Sequence, residues 1–209
     1  LDRVIPVVEK LGREVGLPLS IDTSKSVVAR EAVSAGADFV NDVSGLTFDT
    51  EMAGMVADSG AGLIIMHTRG RPEVMQQDTR YADLFAEVVA SLNSSIEVAV
   101  SAGIVIGKIA IDPGIGFGKD VAGNLELLRR TADLVDLGRP VMLGTSRKSF
   151  IGRVLGKNDP AGRLAGTLAT VALGYAGGAR LFRVHDVAAA REAARMAQAV
   201  CKGAEWVGH

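Results

Sequence analysis

The stretch Ile109-Ala110-Ile111-Asp112-Pro113-Gly114-Ile115-Gly116-Phe117-Gly118-Lys119 joins a strand-like run to a loop built for a ligand. Its first three residues are apolar and suit a short buried strand. The chain then turns polar and glycine-rich at once. A carboxylate at a strand end offers two acceptor oxygens, the glycines let backbone approach a ligand closely, and the Phe offers a flat face for stacking. Alone, Asp-Pro-Gly would be a turn whose Asp caps a helix. Repetition argues otherwise, because polar clusters close the other candidate strands as well.

Working outward, apolar runs at 19–22, 39–43, 62–67, 141–144 and 180–184 join 108–112 as expected strands. Between them, 3.6-residue periodicity predicts helices over 1–15, 26–35, 51–59, 81–102, 124–135, 161–175 and 187–201. The expected inward faces are Leu1, Ile5, Val8 and Leu11; Val27, Val28, Ala32 and Ala35; Leu84, Val88, Leu92, Ile96 and Ala99; Leu125, Leu128, Ala132 and Val135; and Val187, Ala190, Ala194, Ala197 and Cys201. Residues 68–80 form a long polar loop.

Strict alternation of strand and helix implies a parallel sheet with crossover helices, and continuous apolar strands imply that both faces are covered. An open doubly wound sheet would place its ligand at one switch point, whereas a (β/α)8 TIM barrel gathers polar groups from many strand ends at one face. Here Asp22, Asn41, His67, Asp112, Lys148, and Arg183 with His185 follow all six strands, which favours the barrel. A barrel has eight strands and about 250 residues. The chain starts at Leu1, not Met, with a helix already under way. The expectation is therefore one domain over 1–209, strands three to eight of a barrel whose first two βα units are absent.

The 209 residues are 48% hydrophobic and 22% charged, enough for one sizeable core. A net charge of -1 without a basic block speaks against nucleic acid as a partner. The lone Cys201 rules out an internal disulfide and suits a reducing compartment. No membrane-crossing run or signal peptide stands out, so a cytoplasmic location is expected.

If the strands close in a ring, Asp22, Asn41 and Asp112 supply acceptors and an amide for a ring edge rich in N–H donors, such as an aminopyrimidine. Lys148, Arg183 and His185, with Arg147 beside them, oppose them with positive charge suited to phosphate, diphosphate or carboxylate. Ser149 stands where a helix can open and its N–H groups attract anions. Blander roles compete. His67 can simply close a strand, Asp42 and Asp186 can cap or hold neighbouring loops, and Arg147 can form an ion pair beneath the pocket. Lys25, Arg69, Arg71 and Lys119 can be solvated charges at the rim. No metal-ligand spacing is present, with His209 terminal and away from the strands, and there is no dinucleotide, Walker or nucleophile-elbow motif.

Ile21-Asp22-Thr23-Ser24-Lys25, Asn41-Asp42-Val43-Ser44-Gly45, Met66-His67 to Pro72, Asp112 to Lys119, Ser146-Arg147-Lys148-Ser149 and Arg183-Val184-His185-Asp186 stand in the order and approximate spacing of the dihydropteroate synthase family. The chain resembles that family from about residue 15 onward. The resemblance implies a barrel transferase of folate biosynthesis. It would join 6-hydroxymethyl-7,8-dihydropterin diphosphate to p-aminobenzoate, release diphosphate by SN1-like departure, and be a sulfonamide target. Asp22, Asn41, Asp112 and Lys148 would hold the pterin, with Met66, Gly116 and Phe117 lining its pocket or the adjoining one. Arg183, His185 and Asn41 would hold diphosphate, and Lys148, Ser149 and Phe117 would lie against p-aminobenzoate. Asp22, Asp112, Lys148, Arg183 and His185 would carry the catalysis, with no metal ligand among these residues. The resemblance also implies a homodimer, and Mg²⁺ bound through the diphosphate with its main protein ligand in the absent N-terminal part.

Two alternatives compete: a pterin-binding methyltransferase acting on methyl-tetrahydrofolate, and a non-catalytic barrel module. The family's Asn-containing loop and Ser-Thr-Arg-Pro loop are absent from the chain. These 209 residues alone are therefore expected to bind pterin but not to turn over at full rate. Calorimetric titration with a pterin beside a steady-state assay checks this, and full-rate turnover overturns it.

Overall fold

The computed structural model describes residues 1–71 and 73–206. Pro72, the end of the third motif, and His209 lie outside the described residues.

Among the described residues, six parallel strands follow one another in space as they do in sequence. β1 (Ser20–Asp22) pairs with β2 (Phe39–Asp42), β2 with β3 (Gly62–Met66), and β3 with β4 (Ile109–Asp112). The Ile111 N–H donates to Pro140 at 2.9 Å and a bridge joins Ile111 to Val141, which brings in β5 (Met142–Leu143). β6 (Leu181–Phe182) pairs with β5. The helices are α1 (Ile5–Glu14), α2 (Ser26–Ser34), α3 (Met52–Ser59), α4 (Leu84–Ser101), α5 (Val121–Arg129), α6 (Thr131–Val135), α7 (Ser149–Leu155), α8 (Leu164–Ala176) and α9 (Val187–Lys202). This order is the expected αβ alternation, and the fold is that of the TIM barrel.

Alternation along the strands makes two apolar layers. Val40, Leu63, Ile65, Ile109, Ile111 and Leu143 join the buried helix residues in the large core. Ile64, Ala110 and Met142 form a small separate cluster on the other sheet face. Because side chains repeat every second residue, Met66 shares the face of Ile64, and Asp112 that of Ala110. The polar strand ends therefore sit directly above the inner cluster, and parallel pairing puts all of them at one end of the sheet.

The helices depart from the expected faces in particular places. α5 starts at Val121 because Asp120 accepts the Gly123 N–H at 2.7 Å, a side-chain cap three residues earlier than periodicity suggested. The chain leaves helical geometry at Arg130, splitting the predicted 124–135 helix into α5 and α6. The buried face becomes Asn124, Leu127, Thr131 and Leu134, and Leu125 is 44% exposed. The cause is Asn124, whose amide is required beneath the Gly114–Gly118 loop. In α2, Ser26, Ala29 and Ala32 are buried and Val27 faces out; Val187 and Cys201 are likewise exposed. Val8 is the buried residue of α1, and Leu11 is exposed.

α4 begins at Leu84, where Asp83 accepts the Ala86 N–H at 3.0 Å, and not at Tyr81, whose hydroxyl is committed to Gly118. By length and composition alone this 18-residue helix could cross a membrane, with a mean hydropathy of 1.3. It spends its buried face, Leu84, Phe85, Val88, Leu92, Ser95 and Ala99, on the protein core instead.

The revised face of α5 is directly testable. Leu127→Ala should cost about 2–5 kcal/mol of stability by urea unfolding, and Leu125→Ala roughly 0.5 kcal/mol or less.

Candidate active site

Asp112, at the end of β4, is 4% exposed. One oxygen, Oδ1, accepts the Gly114 N–H at 2.7 Å. Burial raises its pKa, against the opposing charges of Lys148, Lys119 and Arg183. In β1 and β2 the pairing sets Asp22 beside Asn41. The Asn41 amide donates to Asp22 Oδ1 at 3.0 Å, and Arg183, just past β6, forms an ion pair with Asp22 Oδ2. Asn41 Oδ1 is buried without a partner. Asn, with two donors and one acceptor oxygen, is thus half committed, and its oxygen awaits a donor. Met66 stands opposite Asp112 in the β3–β4 register and is buried.

The loop after β4 is held carbonyl by carbonyl. Lys119 Nζ donates to Gly114 O at 3.0 Å and Phe117 O at 2.9 Å, Lys148 Nζ to Ile115 O, Gln76 to Gly116 O at 2.8 Å, and Tyr81 OH to Gly118 O at 2.9 Å. Asn124 Oδ1 accepts the Gly116 N–H at 2.6 Å, which is the work that turned α5. Glycine is required at two points. A Cβ at Gly114 would stand 1.9 Å from the His67 carbonyl oxygen, and one at Gly116 2.6 Å from Lys148 Cδ, both at positive φ. The close passage at Gly116 lets the Lys148 ammonium stand 4.3 Å from the Phe117 ring centroid. Burial lowers the Lys148 pKa to about 8, with Asp112 opposing.

On the anion side, a cavity of about 270 Å³ is lined by Gly144, Ser146, Lys148, Arg183, Val184 and His185. Ser146 was quoted in a motif but given no role by the sequence. Its Oγ accepts the His185 backbone N–H at 3.1 Å and lies 2.8 Å from His185 Nδ1. With the Ser146 hydroxyl donating to Nδ1, the ring proton sits on Nε2 and that N–H is left for an anion. Between Ser146 and Lys148, Arg147 adopts a left-handed φ of 58°. Thr167 accepts its N–H at 3.1 Å, Arg163 donates to its carbonyl at 2.8 Å, and Asp186 takes its guanidinium through both oxygens at 2.8 and 3.1 Å. The ion pair anticipated for Arg147 is present, and it braces a residue whose neighbours face the site. Thr167 and Arg163 carried no sequence signal, since their role depends on that backbone geometry.

A second cavity, about 340 Å³, lies on the other side of the loop and includes Gln76, Lys119, Asn124, Ser149 and Arg153. Ser149 is exposed at the first residue of α7. Asp42 is fully buried and holds its own loop, accepting from Ser44 and Leu46 N–H groups at 2.9 and 2.8 Å. Arg69 stacks on Tyr81 and Arg71 on Phe48, while Lys25 lines a rim cavity. Lys119 departs from the sequence expectation of a solvated rim charge, being 4% exposed. His67 is buried as well, and its Nδ1 lies 2.9 Å from Lys119 Nζ. Among the described residues no three His, Cys, Asp or Glu side chains gather as a metal site. The Lys148, Arg183 and His185 set is cationic and does not suit a protein-held Mg²⁺.

An inward ring of Asp, Asn and Asp beside a cationic cavity at the carboxyl ends of barrel strands defines a pterin-binding barrel enzyme. Residues 1–185 match the family described as pterin binding enzyme. The dihydropteroate synthase of Synechocystis sp. is 44% identical over 200 residues, covering 96% of this chain and 69% of that protein. The crystal structure of the Stenotrophomonas maltophilia dihydropteroate synthase superposes with a TM-score of 0.94 at 40% identity, covering 100% of this chain and 77% of that one. The Thermus thermophilus enzyme in complex with 4-aminobenzoate gives a TM-score of 0.90 at 42% identity, covering 95% of this chain and 76% of that one. The chain belongs to the pterin-binding enzyme family and, within it, to the dihydropteroate synthases, the transferases of folate biosynthesis. The methyltransferase and scaffold alternatives are thereby set aside.

Burial of His67, reinforced by the Lys119 charge, lowers its pKa from 6.5 to about 3. Between those values the unfolded chain binds a proton that the folded chain refuses, so this group costs stability as pH falls through the window. His67→Gln, which keeps an acceptor, should lose about 2–3 kcal/mol less than the native chain between pH 7 and pH 4.5 in denaturant titrations.

Proposed function

We propose that Asp22, Asn41, Asp112 and Lys148 hold the pterin ring, that Arg183, His185 and Asn41 hold its diphosphate, and that Phe117, Lys148 and Ser149 receive p-aminobenzoate, the Phe117 ring dividing the two substrates. The observation that carries this assignment is the buried, unpartnered Asn41 Oδ1, on an amide already bonded to the Asp22 carboxylate, an arrangement that asks for an N–H donor. The cationic cavity at Lys148, Arg183 and His185 supports the diphosphate end. Complexes of the Thermus thermophilus enzyme with 4-aminobenzoate and with 6HMPPP support the same substrate pair.

The chemistry follows from charge placement. The methylene–oxygen bond breaks and its electron pair leaves with diphosphate. The resulting cation is delocalised over the electron-rich pterin, where Asp22 and Asp112 stabilise it. Arg183 and the Nε2–H of His185 stabilise the departing anion. The aniline nitrogen then bonds to the methylene carbon and releases a proton. Charge stabilisation by prearranged groups and positioning of the two substrates supply the catalysis, and no protein nucleophile is needed.

The same reading extends to the whole molecule. The described strands are the third to eighth of the ring, in a single domain. The protein is cytoplasmic and homodimeric through α8 and α9, which leave Leu173, Met196 and Val200 exposed. Mg²⁺ arrives on the diphosphate.

Asp112→Asn replaces a charged acceptor with an amide whose NH₂ faces donors. Pterin affinity by calorimetry should fall roughly 10- to 100-fold, from about 1.5–3 kcal/mol for a charge-assisted bond. Affinity unchanged within about twofold would sink the assignment.

A further inference from the structure

Lys119 is a buried cation that the mechanism above does not use. Its ammonium has three N–H donors and meets three acceptors: His67 Nδ1 at 2.9 Å, Gly114 O at 3.0 Å and Phe117 O at 2.9 Å. Donor and acceptor counts match, so nothing is left over for a substrate. Two of the acceptors lie in the loop after β4, and the third is a side chain from the end of β3. The lysine therefore ties the loop to a neighbouring strand.

The loop needs such a tie. Gly114, Gly116 and Gly118 all have positive φ, at 71°, 82° and 63°. Backbone of this kind gives the chain the turn it needs but little stiffness of its own. Of the loop's other side-chain donors, Lys148 also lines the anion cavity, and Gln76 and Tyr81 come from the long segment before α4. Lys119 is anchored at the start of α5, whose Asn124 amide holds the Lys119 carbonyl at 3.2 Å. It faces the Asp112 and Lys148 charges, and burial lowers its pKa to about 7, with Asp112 opposing. It also lines the cavity that holds Ser149.

We propose that Lys119 is a positioning residue for the condensation: by fastening the loop to His67 it sets where the Phe117 ring stands, and through that ring where the aromatic amine lies. The proposal rests on the reading that Phe117 divides the two substrates. The pterin is gripped from β1, β2 and β4 and is not placed by this tie. Losing the tie should therefore act on the amine more than on the pterin, which feels Lys119 only through its field at Asp112, a smaller influence there than Lys148.

Steady-state kinetics of the full-length protein test this with both substrates varied. Lys119→Met keeps the stem and removes the donors; it should raise KM for p-aminobenzoate about tenfold, leave KM for the pterin diphosphate within about twofold, and lower kcat about threefold or less. An equal rise in both KM values, or none in either, overturns the proposal. If Lys119→Met does not fold, a second pair decides. His67→Leu removes the acceptor and should raise KM for p-aminobenzoate about threefold or more, while His67→Gln keeps one and should stay within about 1.5-fold of the native protein. Coincident values for the two His67 variants overturn the proposal. Phe117→Ala separates the two layers of argument. An unchanged KM for p-aminobenzoate removes Phe117 as the divider and the proposal with it. A raised KM beside a silent Lys119→Met keeps the divider and overturns only the role of Lys119.

Discussion

A single carboxylate buried at the end of β4 is the constraint to which the rest of the site answers. Asp112 is 4% exposed, and burial of a charge costs several kcal/mol unless neighbours compensate. One N–H, from Gly114, and the fields of Lys148, Lys119 and Arg183 provide that compensation. Each cation needs a holder of its own. Lys119 is held by His67 and two carbonyls, Lys148 by Ile115 O and the Phe117 face, and Arg183 by Asp22. Asp22 in turn takes the Asn41 amide. One network thus runs through the ends of β1, β2, β3, β4, β5 and β6. Two carboxylates against three cations leave it formally positive, which suits a ligand whose ring donates hydrogen bonds and whose tail is anionic.

The same constraint reaches down into the packing. Asp112 and Met66 share the inner face with Ala110 and Ile64, so the pocket floor is the inner apolar cluster. The Gly114–Gly118 loop can pass beside Lys148 and the His67 carbonyl only because Cβ atoms are missing at Gly114 and Gly116. The loop then needs donors for carbonyls that no strand or helix satisfies. Lys148, Gln76, Tyr81 and Lys119 meet that need, while Asn124 accepts the Gly116 N–H, and α5 turns one polar residue inward to do so. Helix register, loop geometry and site chemistry are here one problem with one solution.

That coupling explains what the sequence showed and what it hid. Strand–helix alternation and the polar residue at each strand end were legible, because both are written in short local patterns. Asp22, Asn41, Asp112, Lys148, Arg183 and His185 emerged from that pattern, and the structure brings them to one end of the sheet. The α5 face was misjudged because a hydrophobic stripe is the strongest periodic signal, and Asn124 displaces Leu125 from it for a reason carried by another segment. Lys119 looked like a surface charge because its three acceptors are two carbonyls and a histidine 52 positions away. Thr167 and Arg163 were invisible for the same reason, since they serve a left-handed backbone at Arg147 that has no glycine to announce it.

Ser146 and His185 are the one feature that could be mistaken for a nucleophile and its base. Their 2.8 Å separation is within the range of such pairs. The second contact decides otherwise. Ser146 Oγ also accepts the backbone N–H of the same histidine at 3.1 Å, which ties the hydroxyl to His185 through one of its two lone pairs. A nucleophile needs a lone pair aimed at a substrate, and a base needs an orienting partner on its far nitrogen. Here the serine is itself the orienting partner on Nδ1, and His185 lines the cationic cavity. The pair is built to stabilise an anion, as transfer between two bound substrates requires, and not to form a covalent intermediate.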